Sequence, residues 1–343
     1  LLPDPDTGFP GLLVSHERGE ATASQGLDIA LDYLRPTGAQ PLAELLHEIG
    51  ASSATLVPCG KLGNLPLAAA PLDVGGTVRL LDRVAIQIAP AARITTTGAN
   101  AGDSGPGDRY LGVADTSPAA DLPWAGAEVS RVAERGAGSR LLLGAAALVD
   151  DVLAALPGSD VVHFACHGVF DLTAPERSRL ELADGALAVA ALLATSAMRG
   201  VRLALAPFWD TGGSDVSSLS AEVTGLPAAL LMAGARATVG ALWPVVDLSA
   251  ALLMSRLASR CLVRTADPAR ELAASQAWLR DLSVEDAVGQ ARALIAHASP
   301  AHTGILLDEL AQLELGSGER PFQHPLHWAP YVLFSAGGPH PHG

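Results

Sequence analysis

The chain has 343 residues, a formal net charge of −14 and 49% hydrophobic residues against 17% charged ones, which excludes a disordered chain and supplies enough apolar surface for a large core. Lys61 is the only lysine and no basic run occurs, so neither a nucleic-acid backbone nor an anionic membrane surface is an expected partner. Cys59, Cys166 and Cys261 are odd in number and far apart. That spacing speaks against a disulfide framework or a paired-cysteine zinc site and fits a reducing cytoplasm, the expected location. The longest apolar stretches, such as Leu226–Val239 with Pro227, Gly234 and Arg236 inside it, are broken short of a membrane span. No charged start followed by an apolar core marks a signal peptide. The chain opens Leu1-Leu2-Pro3, which fits a piece of a longer protein.

In chain order, Pro41–Ile49 carries Leu42, Leu45, Leu46 and Ile49 at helical spacing. Thr55–Pro58 and Val84–Ile88 read as strands. Thr95–Gly107 is rich in Gly, Ser and Asn and reads as a linker. Beyond it strands and helices alternate. Strands are predicted at Tyr110–Ala114, Ser139–Leu143, Asp160–Ala165, Val201–Ala206, Ala237–Leu242 and Trp328–Ser335. Helices are predicted from Gly126 to Ala133, Val149–Leu156, Ala186–Thr195, Ser220–Ala233, Leu248–Leu262, Pro268–Leu282 and Glu285–His297. Near-continuous apolar strands between helices predict an α/β fold with a mostly parallel sheet covered on both faces. The organisation is residues 1–95 as an N-terminal α/β unit, 96–108 as linker, 109–336 as the core and 337–343 as a tail.

Chemistry in such sheets sits beyond the carboxyl ends of strands. Two strand ends stand out: Cys166-His167-Gly168 and Trp209-Asp210-Thr211-Gly212-Gly213. His163, Ala165 and His167 share a strand face, with only His167 at the end, where an imidazole suits general acid or base work. For His163 the expectation is a buried ring bonded to backbone, and for Cys166 a small apolar filler on the opposite face. His163 and His167 lack a third nearby zinc ligand, and no metal or cofactor is expected. His324, His327, His340 and His342 read as a solvated tail region. Gly102-Asp-Ser104-Gly-Pro-Gly107 is linker composition, since His16 and His47 lack the surroundings of a serine-protease triad. Trp243 reads as a packing residue at a strand end, or as part of a cleft wall. Asp247 fits an N-cap, and Glu222 a structural or rim position.

Six segments in order resemble the CHAT domain, a caspase-like cysteine protease family found in bacteria, often fused to TPR repeats. They are Leu56-Val-Pro-Cys-Gly-Lys-Leu-Gly-Asn-Leu-Pro66, Leu122-Pro-Trp-Ala-Gly-Ala-Glu128, His163-Phe-Ala-Cys-His-Gly168 and Ser178-Arg-Leu-Glu-Leu-Ala-Asp-Gly185. Leu226–Ala235 with Gly240–Val245 and Asp247, and His324-Pro-Leu-His-Trp-Ala-Pro-Tyr331, complete the set. The resemblance implies a caspase-like sheet with an inactive N-terminal half. It implies His167 as general base and the amides of Gly168 and residue 209 at the oxyanion position. The family's nucleophilic cysteine belongs to a segment of the type Ser-Ala-Cys-Glu-Thr-Gly, matched here by Pro207-Phe208-Trp209-Asp210-Thr211-Gly212, with Trp209 in place of the cysteine. An indole neither attacks a carbonyl nor yields a proton usefully. Neither Thr211, Ser214 nor Ser217 replaces a thiolate easily, because a hydroxyl is harder to activate. The expectation is therefore a pseudoprotease, a peptide- or protein-binding regulatory module. Its partner would be a protein, TPR-containing ones included, in a bacterial defence or cell-death system. The alternative is an active endopeptidase whose nucleophile comes from another residue or was replaced in this chain.

Overall fold

The computed structural model describes residues 20–58, 63, 65–90, 109–114, 122–169, 177–208, 226–316 and 318–335. Helix α1 (Glu20–Leu34) runs through a π turn (Arg35–Ala39) into α2 (Gln40–Glu48). Strands β1 (Ser53–Leu56) and β2 (Ala85–Ile88) follow. Then come β3 (Tyr110–Ala114), α3 (Ala125–Ala133), β4 (Arg140–Leu143), α4 (Val149–Ala155) and β5 (Val161–Ala165). Short strands β6 (Gly168–Val169), β7 (Arg179–Leu182) and β8 (Gly185–Ala188) lead into α5 (Val189–Thr195). Strand β9 (Leu203–Leu205), α6 (Leu226–Met232) and β10 (Ala237–Ala241) precede α7 (Asp247–Cys261), α8 (Pro268–Asp281), α9 (Val284–Ile295), α10 (Pro300–Leu315) and β11 (Tyr331–Ser335).

Eight strands form one sheet in the order β1-β2-β11-β10-β9-β5-β3-β4. Every neighbouring pair is parallel except β10 and β11, so two parallel blocks of opposite direction meet there. The fold class is the predicted one: a mostly parallel sheet flanked by helices. β1 and β2 continue this sheet, joined to β11 through the pair Ile88↔Phe334, instead of building a sheet of their own. The segment expected as linker, 96–108, and the tail, 337–343, lie outside the described residues.

Strand alternation divides the core. Tyr110, Ala114, Val161, Ala165, Leu203 and Leu205 face one layer, which α1, α3, α7, α8 and α9 cover. Leu111, Val113, Val162, Phe164 and Ala204 face the other, under α4, α5 and α6. Burial on both faces explains why these strands are apolar at successive positions. Gly112 lets α3 approach closely, since a Cβ there would stand 2.8 Å from Val129 Cβ and 2.7 Å from Leu141 Cδ2. The outer helices carry their own start signals. Asp267 accepts from the Ala269 amide ahead of α8, with Pro268 at its first position. Ser283 accepts from the Asp286 amide ahead of α9.

One prediction fails in part. The helix expected over Ala186–Thr195 begins only at Val189, because 185–188 pairs with β7 as a hairpin across Ala183-Asp184. Pairing overrides the helical preference of Ala and Leu, and Asp184 in the exposed turn accepts the Val149 amide at the start of α4. No described helix is long and apolar enough to cross a membrane.

Candidate functional site

Strands β5, β9 and β10 run in the same direction as neighbours, so the segments leaving β5 and β9 meet beyond their carboxyl ends. β5 keeps its sheet pairing to Ala165, opposite Ala114 of β3. The chain then bends. Cys166 is buried among Leu111, Phe164 and their neighbours, on the face opposite Ala165. His167 is exposed, and its carbonyl accepts from the Glu181 amide at 2.9 Å. Gly168 is buried and pairs with Leu180, opening β6. The His167 backbone is thus tied to the hairpin while the residue itself stays in reach of solvent.

From β9, Ala206 donates its amide to the Val239 carbonyl at 2.9 Å, and the chain continues to Phe208. A Cβ placed on Gly168 would lie 2.6 Å from Phe208 Cδ2 and 2.9 Å from its Cγ. The ring therefore lies directly against the Gly168 backbone. The absence of a side chain at 168 admits an aromatic ring here, which sequence reasoning did not foresee. Phe208 is half-buried and packs on the second core layer. Trp209, Asp210, Thr211 and Gly212 lie outside the described residues, as do Ser214, Ser217, Glu222, Cys59, Ser104, His16, His340 and His342.

Beneath the corner lies a buried polar group. His163 is 0% exposed, and its Nδ1 is 3.0 Å from Tyr110 Oη on β3. Its Nε2 is 2.7 Å from Glu128 Oε1 on α3, facing it without the alignment of a full hydrogen bond. The Tyr110 hydroxyl and Nδ1 share one hydrogen bond. The expected backbone bond of His163 is thereby corrected to two side-chain partners from two other elements. Glu128 was quoted only as part of a motif. Residues 35 positions apart, on a helix and a strand, give no local spacing that reveals their contact.

The neighbourhood of Glu128 is aromatic. Burial first, and then the Glu128 charge, hold the Tyr110 hydroxyl well above the usual phenol range. Burial, followed by Glu128 and Asp247, does the same to Tyr331, whose hydroxyl finds no hydrogen-bond partner among the described residues. Asp247 is the first residue of α7 and not its N-cap, which is Val246. Its carboxylate accepts the Trp124 amide at 3.0 Å, just ahead of α3, so it sits at the positive end of that helix. The Trp124 indole donates to Glu309 of α10 at 2.6 Å. Trp243 is 1% exposed and donates to the Leu326 carbonyl at 3.2 Å, so it packs in the core.

The remaining histidines do separate work. His324 caps a short turn by accepting the Leu326 amide, and His327 packs edge-on against Phe322. Among the described residues no three His, Cys, Asp or Glu side chains converge as a metal-ligand set. Cys261 is buried in α7, its thiol pushed up to about 12 by burial.

A sheet of this topology, with an imidazole beyond one central strand and the next strand's continuation folded over the following glycine, agrees with a family model of the CHAT domain, which matches residues 30–336. The chain belongs to the CHAT family. No curated protein matches it. As a CHAT domain it carries the caspase-like fold, from α1 to β11, with His167 and Gly168 at the corner of β5.

Proposed function

We propose that this CHAT domain binds a peptide or protein partner at the His167–Gly168 corner without hydrolysing it. The observation that carries the reading is the Phe208 ring against Gly168. In the motif register that sets Asp210-Thr211-Gly212 against the family's Glu-Thr-Gly, Phe208 stands where the family has alanine and Trp209 where it has the cysteine. In sequence a small and a nucleophilic residue are thus replaced by two large aromatic ones, and the first of them, Phe208, lies beside the glycine whose amide the family uses for the oxyanion. The two described cysteines do not compensate. Cys166 is buried on the opposite face of the strand, and Cys261 is a high-pKa thiol inside α7. A peptidase of this kind needs a thiolate within hydrogen-bond reach of the imidazole. Aromatic surface next to an exposed histidine suits retention of a partner's side chain instead.

Family membership supplies the context of the proposal: a bacterial regulatory module in the cytoplasm, in a defence or cell-death system, with TPR-containing proteins among its partners. The experiment is a digest-free one. Purified chain is incubated with a proteome-derived peptide pool, and mass spectrometry reads both new peptide termini and retained peptides. The expected outcome is no new termini, and retention that weakens with His167→Ala. New termini that vanish with His167→Ala would overturn the proposal in favour of an active endopeptidase.

A further inference from the structure

We infer that the outer face of α1 and α2 docks a basic amphipathic helix of another protein. From Glu20 to Glu48 the chain is one helical run, and Leu34, Ala39 and Gln40 keep right-handed helical backbone on either side of the π turn. Its inner face is spent on the core, where Leu27, Ala30, Leu31, Leu34, Ala39 and Leu46 are buried. A helix that meets only solvent on its outer side is polar there. Here Ile29, Tyr33, Leu45 and Ile49 are between 46% and 68% exposed, and Thr37 and Pro41, also exposed, fill the gap between them. These six stand four residues apart. Each step of four winds about 40° round an α-helix, so five such steps would carry the stripe round into the buried side. The π turn takes more residues per revolution and turns the stripe back, which keeps it on the outside.

Charge chooses the occupant. Each large apolar residue of the stripe follows an exposed acid: Asp28 before Ile29, Asp32 before Tyr33, Glu44 before Leu45 and Glu48 before Ile49. A line of carboxylates therefore runs along one flank of the apolar line. Asp28 has His324 at 3.4 Å, while Asp32, Glu44 and Glu48 form no ion pair among the described residues. The cations on residues 25–50 are Arg35, half-buried, and His47. A partner for this face must offer apolar side chains at a matching helical spacing, with cations along one side. A basic amphipathic helix supplies both. A second copy of the chain would bring further acids to the stripe, and an anionic lipid surface would be repelled by those present. The net charge of −14 extends the attraction to the encounter itself.

The probe is a synthetic helical peptide of about twenty residues, with leucines lining one face and arginines beside them. Its control has the same composition with the leucines scattered. Fluorescence anisotropy reads binding of each to the full chain at low and at physiological salt. The ordered probe is expected to bind about tenfold more tightly than the scattered one, and Ile29→Ser with Leu45→Ser to lose about that factor. Asp32→Asn with Glu44→Gln should cost about threefold at low salt and flatten the salt dependence. His167→Ala should leave probe binding unchanged. All four side chains altered in the binding variants are exposed, so folding is not at stake. Equal binding of the two probes, stripe variants that bind like the parent, or loss of binding with His167→Ala would overturn the inference. Photo-crosslinking from p-benzoylphenylalanine in place of Tyr33 decides the occupant. A product with the ordered probe supports the inference, and a product with a second copy of the chain or with the chain's own residues 1–19 overturns it.

Discussion

The Phe208 ring lies against the bare backbone of Gly168, so close that a Cβ at 168 would meet Cδ2 at 2.6 Å. This contact joins the ends of two neighbouring strands at the corner proposed above to hold a partner.

Gly168→Ala should therefore destabilise the protein by about 1–3 kcal/mol, the usual cost of overpacking a well-filled site. Because the intruding methyl meets a side chain, Phe208→Ala should relieve it. Urea denaturation of both single variants and the double variant would measure the coupling. A double variant no more stable than the sum of the two singles would show that the ring is not what the methyl meets.

The thiols should be inert in the folded state. Cys166 and Cys261 are both buried, and the Cys261 thiol is pushed up to about 12, far from ionisation at neutral pH. Iodoacetamide at pH 7.5 followed by peptide mapping should leave both unmodified in native protein and modify both in denaturant. Native labelling at Cys166 would bring a sulfur back into contention as nucleophile.

Alkaline pH should unfold the protein early. Burial holds the Tyr110 and Tyr331 protons well above the usual phenol range and pushes the Cys261 thiol up to about 12. Each group binds its proton more tightly folded than unfolded. Their contribution is complete below pH 9 and is lost as pH rises, first through Cys261 and then from pH 10 through the two phenols. Once the unfolded chain has ionised a group that the native state keeps protonated, stability falls by about 1.4 kcal/mol per pH unit for each such group. Chemical denaturation from pH 8 to 11.5 should show a flat region followed by this steepening. Tyr331→Phe should flatten the upper part, since its hydroxyl leaves no partner behind.

Glu309→Ala should cost about 1–3 kcal/mol by stranding the buried Trp124 indole N–H. Glu309→Gln keeps an acceptor and should recover most of it. Thermal melts followed by tryptophan fluorescence would separate the two.

Much of this architecture was legible. Strands buried on both faces announce themselves by apolar residues at every position, and Tyr110–Ala114 and Ala237–Ala241 emerged with boundaries within a residue. Two helices were not read. α10 carries Ile305, Leu306, Leu307, Leu310, Leu313 and Leu315 around its whole circumference, which erases the period that identifies a helix. α1 does bury Leu27, Ala30, Leu31 and Leu34 at helical spacing, a signal that was present and passed over. The Asp184-Gly185 hairpin signal was likewise outweighed by the alanines that follow it. At the site, His167 and Gly168 came from a motif and landed at a strand end. The His163–Glu128–Tyr110 group could not, because contact between a helix and two strands is a property of packing and leaves no trace in local spacing.

The last of the described strands in chain order occupies an inner place in the sheet. β11 stands between the pair β1-β2 and the other five strands, and it meets β2 through the single register pair Ile88↔Phe334. A nascent chain leaving the ribosome has every other strand available long before residues 331–335 emerge. Until then β2 and β10 each present an open row of backbone groups, the template on which chains stick to one another. Translation products that stop short of residue 331 should thus be aggregation-prone, and residues 331–335 act as the keystone of assembly.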